Sequence, residues 1–467
     1  MSVETREGLK LLGAGVVLGL LGDLLLRATP LGLGLLLWVL AFCGMLFVLT
    51  RRLPPWTAGP LVVFAALVVW RDSPWLVSLD VFALAVGVSV GALRTAAGRV
   101  AVAGVLDYAV GLGAAAIGAV WGALLVLFDE VRWEELARGG RAEQAAAVGR
   151  GTLLALPLLL VFGGLFVAAD AVFGDLLGGF VPGGHSLVHV AVFALWFCVG
   201  AGLLRQLALP APDEPIEFRR SVTLGRTELV VALALLNALF LAFVLVQFRT
   251  HFGGDAVVQS HTHLTYAEYA RQGFFELLAV AALVLPVVLL ADWVAPPGSR
   301  WVRVLSATLV VLLFAVIASA LERMRLYTRA YGLTELRLYS TGFMLWLAVV
   351  FAWFCATVLR GRRPRFAVGA LVSGFAAILA VHAVNPDGLI ARVDARRAHP
   401  DVETLAALSD DALPTLVREL PRMPAGARRE LASRLLERRH PHAWRSWNLS
   451  RARAASLRDD LERLGSG

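Results

Sequence analysis

The feature that most constrains this chain is repetition. Apolar stretches recur from the N-terminus to Val384, each close to the 20 or so residues that cross a hydrocarbon layer of roughly 30 Å as a helix. Composition points the same way, with 58% hydrophobic and 17% charged residues and a mean hydropathy of +0.72, where soluble domains hold roughly 45–50% apolar and 25% charged residues. A soluble enzyme and a disordered scaffold are both excluded. In lipid every backbone N–H and C=O must find a partner inside the protein, so the runs are read as helices.

A sliding window of about 19 residues places spans at Leu9 to Leu26, Leu31 to Leu49, Ala58 to Trp70, Trp75 to Leu93, Val100 to Phe128 and Thr152 to Phe173. Six more follow at Val188 to Leu204, Thr227 to Phe248, Gly273 to Asp292, Val302 to Leu321, Gly342 to Leu359 and Phe366 to Val384. The expected fold is all-α: a polytopic transmembrane helix bundle of about 12 spans over residues 1–384, the third of them the weakest. The first run contains Asp23 and lacks a small-x-small cleavage site, so it reads as an uncleaved span.

Lys10 is the single lysine among 43 basic residues, and the net charge is +8. The arginines fall in short loops and in one tail, as topology signals do, so no nucleic-acid partner is expected. They divide almost evenly between the two sets of loops; the early ones favour a cytoplasmic N-terminus and the later ones the reverse. This arginine bias, with the Ala, Gly and Leu excess, fits a high-GC bacterial genome and a multi-pass protein of the cytoplasmic membrane. Cys43, Cys198 and Cys355 lie singly in apolar runs and indicate neither disulfides nor a zinc site.

After Val384 the apolar runs stop, and residues 385–467 read as a small, Arg-rich soluble α-helical tail. Leu405, Leu408 and Leu416, then Leu431, Leu435 and Leu436, keep helical spacing between Pro421, Pro424 and Pro441. Trp444 and Trp447 beside arginines suit either a lipid headgroup layer or packing among the tail's own helices, the second being the simpler reading.

Ionisable groups in or beside spans are the informative residues, because insertion costs about 2.5–3.5 kcal/mol each unless they face a cavity or a partner. Asp170 closes the sixth span and Glu276 opens the ninth. Thr265 and Glu268 have the spacing of a capping box, and Tyr269, Gln272 and Glu276 would then form one polar stripe. Between the tenth and eleventh spans, Arg325 and Arg329 share one helical face and Tyr327 and Tyr331 another. Gly332 suits a helix C-terminus, and Thr334 with Glu335 suits a new start. Span parity puts these groups at one membrane face, where the arginines could neutralise Asp170 or Glu276. The pathway candidates are therefore Asp170, Tyr266, Tyr269, Arg271, Glu276, Arg325, Tyr327, Tyr331 and Arg337. His185 with His189, and His261 with His263, have metal-like spacing, but no further ligand pattern supports them; neither a metal nor a cofactor is expected. Gly15-x-x-x-Gly19 is a helix-packing motif. No Walker loop, HExxH, GxSxG or Rossmann fingerprint is present, which turns the reading away from an enzyme.

Several phrases carry a resemblance: AADAVF at 168–173, TYAEYARQGFFELL at 265–278, ERMRLYTRAYGLTELRLY at 322–339, NPDGLIAR from 385, LSDDALP from 408 and SWNLSRARA from 446. From about Thr152 to the C-terminus the chain resembles the bacterial integral-membrane family catalogued as a domain of unknown function, the 4153/4173 group. Ala171 and Asp394 depart from that family's pattern, which favours proline and asparagine there. The resemblance implies a polytopic membrane protein and supplies no substrate.

Three readings stay open. One is a carrier or permease-like protein with a one-face Asp/Glu/Arg/Tyr site, its helices broken at Pro157 and Pro286. Another is a signalling or assembly scaffold whose tail recruits a protein partner or anionic lipid. The third is a membrane enzyme using Asp170 or Glu276 on a lipid-linked substrate.

Overall fold

A computed structural model describes residues 2–27, 29–97, 105–136, 184–209, 225–262, 274–296, 298–438 and 443–466, with scattered positions between 140 and 170. Among the described residues every regular element is helical. The helices are α1 (Val3–Leu26), α2 (Leu33–Thr50), α3 (Pro55–Trp70), α4 (Pro74–Ala97), α5 (Val105–Leu125), α6 (Trp133–Leu136), α7 (Gly184–Ala208), α8 (Arg226–Thr262) and α9 (Phe274–Val294). They continue with α10 (Arg300–Tyr331), α11 (Glu335–Thr357), α12 (Pro364–Val384), α13 (Pro386–Asp394), α14 (Val402–Ala407), α15 (Leu413–Glu419), α16 (Ala425–Leu436), α17 (Leu449–Ser456) and α18 (Arg458–Ser466).

Nine described helices are long and apolar enough to cross a membrane, or ten if the bent pair Val110–Ala119 and Trp121–Glu130 is one span. The twelve expected are not reached, for three reasons. Helix α3 has 16 residues and rises only about 24 Å. The fifth run bends by 57° and ends in a π-helical turn, Val126–Glu130. The sixth, Thr152 to Phe173, lies largely outside the described residues. Pro286 sits inside α9 without breaking it, and Pro157 is outside the described residues.

The chain groups into two compact units. The first holds α1 to α7 and the C-terminal segment Arg439–Ala452. Its main contact is α1 against α7, and glycine makes it possible. A Cβ at Gly22 would lie 2.2 Å from Cγ of Trp196, one at Gly15 2.6 Å from Cβ of Ala201, and one at Gly19 2.8 Å from Cε2 of Phe193. The Gly15/Gly19 motif thus lets two backbones approach and fills the gap with aromatic rings. Helices α2, α3 and α4 follow as neighbours, and Trp38 donates its indole N–H to the Leu18 carbonyl at 3.0 Å.

The second unit comprises Ile216–Arg438 and Arg453–Gly467, with Ala101–Val105. Its spans pack through large side chains, with Phe274, Val288, Leu309, Leu313, Met344, Phe351 and Phe354 all buried. Beyond Val384 a second core forms from Ile390, Leu405, Leu408, Leu416, Leu420, Leu431 and Leu435. These include the leucines whose spacing pointed to amphipathic tail helices.

Candidate functional site

The turn between α10 and α11 is the best-defined polar site of the second unit. Helix α10 has 32 residues and rises about 48 Å, so its last turns extend past any hydrocarbon layer. It ends at Gly332, whose φ of +87° favours glycine. The position is doubly restricted, because a Cβ there would lie 2.8 Å from Oδ1 of Asp394 and 2.9 Å from Nη1 of Arg397. Asp394, at the end of α13, accepts the Leu333 backbone N–H at 3.0 Å. Arg397 donates to the Ala330 carbonyl at 2.8 Å. Arg337 donates to the Gly332 carbonyl at 2.5 Å and lies 4.0 Å above the Tyr327 ring, which meets Tyr331 edge-on at 5.2 Å. Burial pushes the Asp394 carboxyl above the usual carboxylate range, although the Leu333 N–H and the Arg397 and Arg337 guanidinium groups pull it down.

Two turns back along α13 lies Asp387, fully buried. Its Oδ2 accepts the Ser409 backbone N–H at 3.2 Å and the Ser409 hydroxyl, and the Glu335 side chain from the start of α11 lies near the same carboxyl. Burial first, then the neighbouring Asp411 charge, raises Asp387 above its ordinary range, with the Ser409 hydrogen bonds and the Glu335 side chain opposing. Asn385 shapes the approach in a left-handed conformation (φ 54°), accepting Gly388 N–H at 3.2 Å and donating to the Asp411 carbonyl at 3.1 Å. A third acid, Glu419, is held down to about 2 by the Arg396 hydrogen bond and by Arg422; its contacts are 2.6 Å and 3.0 Å.

In the first unit the corresponding feature is a C-terminal segment seated on span ends. Asn448 donates to the carbonyls of Val68 and Arg71, both at 2.7 Å, while its own oxygen accepts Ser450 N–H at 2.8 Å and caps α17. Ser450 donates to the Trp70 carbonyl at 3.1 Å. Arg451 pairs with Asp72 and donates to the Ser446 carbonyl at 2.7 Å. Arg445 reaches the Leu24 carbonyl at 2.5 Å, and Trp447 accepts the Leu33 N–H at 2.9 Å. The last carbonyls of α1 and α3 have no partner within their own helices, and this segment supplies the donors.

Of the sequence candidates, the structure joins Tyr327, Tyr331 and Arg337 in one cluster. Arg325 pairs instead with its neighbour Glu322 at 3.4 Å. Glu276 is exposed at the start of α9 and has no ion-pair partner among the described residues, so the arginines of α10 and α11 do not neutralise it. Asp170 is exposed and belongs to the first unit. Tyr266, Tyr269 and Arg271, with the capping box at Thr265, lie outside the described residues, as does His263. His189 contacts Asp23 at 2.6 Å, an acid that also holds Arg27 at 3.0 Å. His185 and His261 sit on α7 and α8. Among the described residues no group of three or more His, Cys, Asp or Glu is placed to hold a metal. Thr334 precedes α11 without a side-chain cap.

Sequence reasoning missed Asp387, Asp394, Asn448 and Arg451 as a set. It also passed over fully buried Asp80 in α4 and the buried group in which Arg323 donates to Gln247 at 2.7 Å beside Ser319. A signal was nonetheless present. The phrases NPDGLIAR and LSDDALP meet at Asp387 and Ser409, and the phrase at 322–339 meets α13 at Asp394.

Apolar helices of span length, joined by hydrogen bonds to short helices that follow the last candidate span, define a multi-pass membrane protein. The chain belongs to the family described as Domain of unknown function (DUF4153), whose profile matches residues 58–419. That match begins well before Thr152 and stops short of the phrase at 446. No curated protein and no solved structure is detectably similar.

Proposed function

We propose that the protein is a membrane-embedded signalling or assembly protein of the cell membrane, in which extramembrane helices are coupled to span ends and recruit a protein partner or anionic lipid. The observation that carries this reading is the bonding of the α10–α11 turn to α13, through Asp394 on Leu333 and Arg397 on Ala330. A shift of either span against the other moves the atoms that hold α13. Exposed arginines of the tail, such as Arg392, Arg418 and Arg429, offer the surface for an acidic partner. The test uses cells lacking the native copy. A chain ending at Val384, and a full-length Asp394→Ala/Arg397→Ala variant, are expected to insert normally and leave the loss-of-function phenotype in place. Full rescue by both contradicts the reading.

A second reading, a carrier, is favoured by one observation: buried Arg323 and Gln247, with half-buried Ser319, form a polar group between spans α8 and α10, and such groups mark ion or substrate paths. Proteoliposomes holding the full chain would then show proton or solute flux that Arg323→Gln abolishes. Flux unchanged by that substitution, or absent altogether, removes this reading.

A further inference from the structure

Trp444 and Trp447 lie within the segment fastened to the first unit, yet their own rings stay outside, 57% and 46% exposed. The segment's depth is set by its partners. Arg445 bonds the last turn of α1, Trp447 the first residue of α2, and Asn448 and Ser450 the end of α3. These are the points where apolar helices leave the hydrocarbon, so residues 444–451 lie at the boundary between membrane and water. Trp75, on the first turn of α4, is exposed at that same end. Beside it Arg71 lies 4.7 Å above the Trp70 ring.

The short α3 sharpens the argument. A helix of about 24 Å ends near the inner edge of the headgroups, where unmet carbonyls cost several kcal/mol. The segment brings donors to those carbonyls while turning two indoles outward. An indole has an apolar body and a single N–H donor, which suits the headgroup layer better than either water or hydrocarbon.

We propose that residues 444–451 form a membrane-interface strap whose Trp444 and Trp447 rings lie among the phospholipid headgroups of the bilayer that holds α1 to α4. The strap thereby serves two surfaces, with Asn448, Ser450 and Arg451 facing span ends and the two indoles facing lipid.

The test compares tryptophan emission of the full chain and of W444F/W447F, each reconstituted in phosphatidylcholine vesicles. The lipids carry bromine near the headgroup or near the chain end, and iodide is added as a quencher from water. The difference between the two proteins isolates the two indoles. Bromine near the headgroup is expected to cut that difference roughly twofold or more, with little loss from deep bromine or iodide. Quenching by iodide alone would place the rings in water and overturn the proposal. Quenching by none of the three would place them against protein, with the same consequence. Should the double variant not fold, Trp444→Cys in a chain freed of Cys43, Cys198 and Cys355 carries a nitroxide whose accessibility to oxygen and to a water-soluble nickel chelate reads the same depth. High access to nickel with low access to oxygen overturns the proposal.

Discussion

The two units fasten their helix ends with a different balance of donors and acceptors. In the first, the C-terminal segment arrives chiefly with donors: Arg445, Asn448 and Ser450 meet the carbonyls of Leu24, Val68, Trp70 and Arg71, and the Trp447 carbonyl takes the Leu33 N–H at the start of α2. In the second, the principal contact is an acceptor, Asp394, meeting Leu333 N–H just before α11 begins. The difference follows from helix polarity. A C-terminal end presents unpaired carbonyls and partial negative charge, a start presents N–H groups and partial positive charge. Arg397, which meets the Ala330 carbonyl at the end of α10, obeys the same rule within the second unit. Interior packing differs in degree, since three glycines bring α1 onto α7, whereas Phe, Leu and Met fill the core of the second unit, where Gly369 admits the ring of Trp353.

That contrast makes substitution effects differ by region. The largest is expected at the glycine contact. Gly22→Val drives a branched side chain into Trp196 and should cost about 3 kcal/mol in detergent-titrated unfolding, while an Ala-to-Val change at an open surface site costs little. Next comes the strap, where Asn448→Ala leaves two buried carbonyls and the start of α17 unmet. A loss of about 2 kcal/mol is expected, with faster amide exchange at residues 449–451. Full retention of stability there would break the contrast between donor-fastened and acceptor-fastened ends.

Gly332→Ala should cost about 1–2 kcal/mol from its positive φ. It should also loosen α13, read as increased protease cleavage after Arg392 with the spans intact. The smallest effect is a pH dependence. Asp387 has a folded-state pKa above its unfolded value, so its contribution is complete below the ordinary aspartate range and is lost as pH rises through the raised value. Asp387→Asn, which mimics the protonated acid, should therefore hold α13 more firmly than the wild type at alkaline pH and match it at acidic pH. Glu419 has the reverse sign. Held down to about 2, it stabilises above the ordinary glutamate range and is lost only as pH falls through that low value.

How much was legible in advance depended on the physics of each element. Span-length helices could be read because crossing lipid demands a long apolar run, and the tail leucines because one buried face repeats at helical period. Helix α3 was expected as a full span, and window hydropathy does not register that its 16 residues are fewer than those of the span-length helices. The site was half legible: Tyr327, Tyr331 and Arg337 share a turn, so local spacing found them. Asp387 with Ser409, Asp394 with Leu333, and Asn448 with Val68 are long-range pairs, and no local period encodes them. The arginines of this stretch were expected as possible partners of a distant acid, whereas Arg325 pairs with Glu322 one turn away, a local contact that competes with any long-range one.

Whether the end of the chain truly closes on the corner between α3 and α4 is tested most directly by a double-mutant cycle on Asp72 and Arg451, both largely buried where they pair. Asp72→Ala, Arg451→Ala and the double variant are unfolded in mixed micelles. A coupling of about 1 kcal/mol or more between the two positions is the expected result; strictly additive losses would mean that the two side chains do not meet.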